Sequence, residues 1–157
     1  MAKDGVPREE LAERVKQTLS RVRQECSSQL VFPPQFLARI KRVVVFDPLD
    51  QQAMVGIAER RLTRMQSLWR QKREKEITWD ANVPMALGAK AHELNEIANG
   101  REGGRIVGRL VSDYVESRIQ SLAESNRDEY KESPNIFVEA TDPTSVEFTV
   151  NFGGVAV

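Results

Sequence analysis

Cysteine and histidine are almost missing from this chain of 157 residues: Cys26 and His92 are the only ones. A single cysteine allows no internal disulfide and no thiolate metal cluster. A single histidine leaves zinc hydrolase sites, His-based triads and multi-histidine metal centres without their ligands. A charge excess is lacking as well. Basic and acidic residues stand at 23 each, whereas a free-standing nucleic-acid binder carries a basic surplus. No apolar run approaches the ~18 residues of a membrane-spanning helix. The opening "MAKDGVPREE" does not read as a signal peptide. There is no GxxxxGKS/T phosphate loop and no GxGxxG turn after a strand. The one glycine cluster, "NGREGGR" at 99–105, lacks the lysine and the preceding apolar strand of a phosphate loop. By itself, then, this chain is not expected to cradle a triphosphate. Its ordinary apolar content and high charged content suit a soluble, helix-rich, intracellular protein with one compact domain or a small domain bearing a helical attachment.

The residues that are present are periodic. Leu11, Val15, Leu19, Val22 and Cys26 recur at three- and four-residue steps, which predicts a helix from about Pro7 to Cys26. Pro7 suits its first turn, and Glu9 and Glu10 suit its positive end. Pro33 and Pro34 break that helix, "QFLARI" reads as one helical turn, and "RVVVF" at 42–46 reads as a short buried strand. Asp50 is placed to cap a long helix. Its Met54, Ile57, Ala58, Leu62, Met65, Leu68 and Trp69 form one apolar stripe before a charged end, "RQKREKE". "ITW" at 77–79 reads as a strand, and "NVPMALGAKAHELNEIA" as a shorter helix with Pro84 in its first turn. "RIVGRLVSDYVESRIQSLAES" reads as a third helix with Ile106, Leu110, Tyr114 and Leu122 on its main face. "NIFVEA" and "SVEFTVNF" read as strands, the latter alternating Val146, Phe148, Val150 and Phe152 with polar residues.

The expected fold class is α+β: a helical lid with a small antiparallel three-stranded sheet, preceded by a helical arm and a short strand. The boundary falls near 47–50, with the arm over 1–46 and the compact unit over 47–157. Several residues that mimic functional groups have plain readings. Asp47 and Asp50 read as turn and cap residues, and Asp113 and Glu116 as surface carboxylates three apart on one helix. His92 reads as a helix-surface residue and Cys26 as an apolar filler.

The stretch "FPPQFLARIKRVVVFDPLD" at 32–50 resembles the pattern F-x-P-E-F-x-N-R-I-D-x-x-V-V-F-x-P-L of Clp-type AAA+ protein unfoldases and disaggregases. In that family it closes the large ATPase subdomain and opens the small C-terminal one. The chain beyond residue 50 is similar in order: a long helix, a short strand, a helix, a glycine turn ending G-A-R, a helix and a final hairpin. Here the turn is Gly103, Gly104 and Arg105, and the resemblance covers roughly 32–152. Ala38, Arg39, Ile40 and Lys41 stand where the family has N-R-I-D, and "NEIANGRE" replaces the family's tyrosine-containing loop.

The resemblance implies a C-terminal small subdomain that couples ATP binding and hydrolysis to protein unfolding or disaggregation. Residues 1–46 would then include the end of the large subdomain. Arg39 falls where the family has its arginine finger, which reaches the nucleotide of the neighbouring subunit. A guanidinium suits this, being permanently charged and forked onto phosphate oxygens, and such fingers are worth ~10³–10⁵-fold in rate. Arg105, with Gly103 and Gly104, falls where the family has its sensor-2 contact to the ATP of its own subunit. The resemblance further implies Mg2+ held only through a large subdomain that this chain does not contain, and a hexameric ring acting on protein substrates. It implies neither a nucleic-acid nor a membrane partner, and a cytoplasmic setting. The Walker A and Walker B elements belong to the missing subdomain, so the chain holds no complete active site. An alternative reading is a stand-alone adaptor or oligomerisation domain that binds and regulates an AAA+ ring without hydrolysing ATP.

Overall fold

A computed structural model describes residues 7–24, 28–44 and 48–153. The chain divides into two units, Met1–Pro48 and Leu49–Val157.

In the first unit, α1 (Arg8–Leu19) stops well short of Cys26, which lies outside the described residues. The Ser20 hydroxyl donates to the Gln17 carbonyl at 2.7 Å. The Arg21 and Val22 amides reach back only three residues, to Thr18 and Leu19. Such short bonds tighten and close a helix end. The chain then doubles back, with the Val31 amide on the Val22 carbonyl and a single antiparallel bridge between Arg23 and Leu30. The expected one-turn helix is α2 (Pro34–Arg39). The buried strand expected at 42–46 does not form over 42–44, and Val44 is 60% exposed. Val45, Phe46 and Asp47 lie outside the described residues. β-branched residues make a strand only where a neighbour completes the ladder. Among the described residues of this unit, the Arg23–Leu30 bridge is the only such pairing.

The second unit begins where Asp50 accepts the Ala53 amide at 2.7 Å and caps α3 (Gln51–Arg73). Met54, Ala58, Leu62, Met65 and Trp69 are buried along it. Leu68 departs from the expected stripe and is 43% exposed. It sits about 100° around the helix from Trp69, off the buried ridge. Glu74, at φ 55°, turns the chain into β1 (Glu76–Trp79), followed by α4 (Asn82–Ile97). Glycine is needed where α3 and α4 cross. A Cβ on Gly88 would stand 2.7 Å from the backbone of Val55. Among the described residues no helix is long and apolar enough to cross a membrane.

The third helix of this unit has three parts: α5 (Arg105–Leu110), a π-helical stretch (Val111–Glu116) and α6 (Ser117–Ser125). Val107, Val111, Val115 and Ile119 are all buried. Four-residue steps overshoot an α-helical turn by about 40° each. The wider π turn takes up that overshoot. Tyr114, expected on the main face, lies within this stretch and is exposed. A further short helix, α7 (Arg127–Glu132), was not signalled by any apolar period.

β2 (Asn135–Ala140) and β3 (Phe148–Phe152) form the expected hairpin, with Val138 opposite Val150. β1 joins β2 in parallel, Ile77 opposite Ile136. The sheet is therefore mixed, in the order β1-β2-β3, rather than antiparallel as expected. The helices between β1 and β2 form the crossover that a parallel pair requires. Ile77, Ile136, Val138, Ala140, Phe148 and Val150 join the helical stripes in one core.

Two polar devices fasten this sheet. Asp80 accepts the Asn82 and Val83 amides at 3.0 and 3.1 Å with Oδ1, and the Ala140 amide at 3.2 Å with Oδ2. One carboxylate thus starts α4 and holds the end of β2. Lys75 is only 8% exposed. Its ammonium donates to the carbonyls of Tyr130 and Ser133, the latter at 2.6 Å, and lies 4.6 Å from the centre of the Tyr130 ring. It satisfies the carbonyls that α7 leaves open at its C-terminus.

Candidate functional site

The turn at 98–105 is built from the end of α4. Val83, Leu87, Ala91 and Asn95 lie on the buried side of that helix, each four residues from the last. Asn95 is the polar member of this row, and it is 5% exposed. Its Oδ1 accepts the Gly103 amide at 2.7 Å, and its backbone carbonyl accepts the Gly100 amide at 2.8 Å. One buried residue therefore closes the loop from both ends. The loop needs left-handed backbone at Asn99, Gly100 and Gly103, where φ is 52°, 76° and 54°.

Each glycine of the turn has a local task. Gly103 supplies the left-handed turn, and its amide is taken by Asn95. Gly104 lies against α3, where an added Cβ would stand 2.9 Å from Ile57 Cδ1. Both glycines thus shape the turn. The group left to meet a ligand is Arg105, which opens α5 and is exposed. Glu102, three residues before it, faces Arg109 at 3.7 Å. Among the described residues Arg105 has no ion pair. Arg101 is also exposed.

Arg39 belongs to the first unit. It is the last residue of α2, exposed, and without an ion pair among the described residues. Upstream of it, Phe32 and Phe36 stack at 6.1 Å between ring centres and brace the helix on its Pro33 entry. The short helix, rather than a following strand, sets the position of Arg39.

The remaining candidates have local explanations. Asp113 is exposed, and Glu116 accepts the Ser112 hydroxyl at 3.0 Å. No group of His, Cys, Asp and Glu side chains among the described residues is arranged to hold a metal ion. A groove of about 640 Å³ runs between the π-helical stretch with the start of α6 and β3. It is lined by Tyr114, Arg118, Phe148 and Thr149 among others and does not border Arg105. The residue that sequence reasoning missed is Asn95. Its signal was a polar side chain in register with the apolar row of α4. No family model matches the chain, and no curated protein matches its sequence.

Proposed function

We propose that this chain is the small C-terminal subdomain of a Clp-type AAA+ ATPase and couples ATP binding and hydrolysis to protein unfolding or disaggregation in a ring. The observation that carries the reading is the turn at 103–105. A buried asparagine holds it, and it presents an arginine that has no ion pair among the described residues. An exposed guanidinium on a rigid turn is what a phosphate-sensing contact requires. The resemblance of 32–50 to the family's subdomain junction supports the same reading. Bound ATP would supply the phosphoanhydride whose cleavage drives the ring. Arg105 would neutralise its phosphates from the lid side, and Arg39 would reach across to the neighbouring subunit's nucleotide. The Mg2+ site belongs to the large subdomain.

The test is Arg105→Ala in the ATPase assembly, with hydrolysis and ring size measured together. Lost hydrolysis in intact rings is the expected result. Lost assembly alone favours a scaffold, and no change in either overturns both. Arg39→Ala should depress hydrolysis at the neighbouring site in mixed rings. An effect confined to its own subunit overturns the finger role. The second reading, an adaptor or oligomerisation domain, is favoured by the apolar side chains that the second unit exposes. Ile97, at 71%, is the most open of them.

A further inference from the structure

We propose that the cleft between α3 and the α5–π segment docks an acidic segment of a partner protein, anchored by one apolar side chain. This does not rest on the nucleotide reading.

Charge in the second unit is segregated. The unit leans acidic, with 17 acidic and 14 basic residues over 49–157. Yet α3 carries six basic residues against one acidic, Glu59. The basic residues at its C-terminal end have local reasons to be there. Arg70 pairs with Glu76 at 3.2 Å, Arg73 lies 4.2 Å over the Trp69 ring, and that helix end favours cations. Arg60, Arg61 and Arg64 have none of these reasons. They sit mid-helix, exposed, with no ion pair among the described residues. Like charges at three- and four-residue spacing cost a helix roughly 0.2–0.5 kcal/mol per pair, so stability does not account for them.

Beside these arginines is a cleft lined by Arg61, Arg64, Met65, Leu68, Gly108 and Val111, with Ser112 and Glu116 at its far wall. Gly108 opens it. With no side chain there, the Arg61 guanidinium lies along α5, its Cζ 3.5 Å from where a Cβ would be. The cleft holds about 170 Å³. That is too little for a nucleotide, since small-molecule pockets run roughly 300–1,000 Å³. It suits a single apolar side chain set against Met65 and the exposed Leu68. Glu116, the one carboxylate in the lining, is engaged by the Ser112 hydroxyl. The rim is thus positive and the floor apolar, which complements a leucine-like anchor flanked by carboxylates. A nucleic-acid backbone fits less well, because the acidic remainder of the unit repels it.

The test starts with a random-peptide phage library selected on the protein without nucleotide. Enriched peptides should share one Leu, Ile or Phe flanked by Asp or Glu. The best of them, fluorescein-labelled, should bind in an anisotropy assay and weaken with added salt. Arg61→Glu with Arg64→Glu should weaken it about tenfold or more. Gly108→Leu, which fills the cleft without changing charge, should do the same. Thermal melts establish that each variant is folded. Absent enrichment, peptides without acidic residues, or binding that survives both variants overturns the proposal. A labelled oligo-dT strand bound at physiological salt through the same arginines would assign the patch to nucleic acid instead. A dimer abolished by the same substitutions would assign it to a second copy of this chain. Either outcome also overturns the proposal.

Discussion

Replacing Asn95 with alanine tests the link between packing and site most directly. Asn95 is 5% exposed, and its Oδ1 accepts the Gly103 amide at 2.7 Å. Alanine removes the acceptor and leaves that amide, inside a left-handed turn, without its partner. Leaving a buried donor unsatisfied costs about 1–3 kcal/mol, and for the half-buried Gly103 amide, with the small cavity left by the lost amide, about 2 kcal/mol is expected. For a unit of this size each kcal/mol moves the melting temperature by roughly 4 °C, so the expected fall is about 8 °C, followed by circular dichroism. The loss is local as well as global. With the bond gone, the Gly103 amide should exchange its hydrogen at least about tenfold faster, because the turn opens without the unit unfolding. If the lid reading holds, Asn95→Ala in the ATPase assembly should lower hydrolysis as Arg105→Ala does, because Arg105 no longer has a fixed origin. A melt unchanged within about 1 °C, together with unchanged exchange at Gly103, would refute the claim that this side chain holds the turn.

Lys75→Met keeps the buried stem but removes the ammonium from the carbonyls that end α7. Hydrogen bonds to a charged donor are worth about 1.5–3 kcal/mol, and the urea midpoint should fall accordingly; an unmoved midpoint would refute the capping role. Gly88→Ala places a methyl group 2.7 Å from the Val55 backbone. Overpacking of that kind costs about 1–3 kcal/mol, and wild-type stability in denaturant would show that α3 and α4 are not in close contact there. The Thr144 amide and then the Thr144 hydroxyl, both donating to Asp142, hold its carboxyl below the usual value. Its contribution to stability is therefore present above the unfolded value of about 3.9 and lost as pH falls through the lower folded value. An NMR titration of the Asp142 carboxyl should show the depressed value, and Thr144→Ala should raise it only in part, since the amide bond remains.

Where side chains answer to a local period, the fold could be read from the sequence. The α3 row from Met54 to Trp69, the Asp50 cap and the alternation in β3 all follow from repeats of 3.6 or 2 residues and from local capping. The misreadings share a cause, dependence on distant partners. The direction of β1 relative to β2 is decided by how the helices between them return the chain. Tyr114 is exposed within a π-helical stretch that no residue pattern announces. The run at 42–44 has strand-forming residues but no ladder partner among the described residues of its unit. Of the candidate site, the turn at 103–105 was legible, because it stands out as a glycine pair before an arginine. Its anchor was not, because the role of Asn95 emerges only once Gly103 folds back onto it.

The parallel pairing of β1 also has consequences at the ribosome. Ile77 meets Ile136, 59 positions later in the chain. At elongation rates of ~5–20 residues per second, that partner emerges about 3–12 s after β1. Lys75 waits for the same stretch, since its carbonyl partners lie at 130–133. During the interval the nascent α3 and α4 can pair, but β1 has no strand partner and Lys75 is without its carbonyls. A translation product truncated before Asn135 is caught permanently in that condition, with Ile77 uncovered. A strand unpaired on both sides, with its apolar face bare, invites aggregation, so completing β2 is what takes that hazard away.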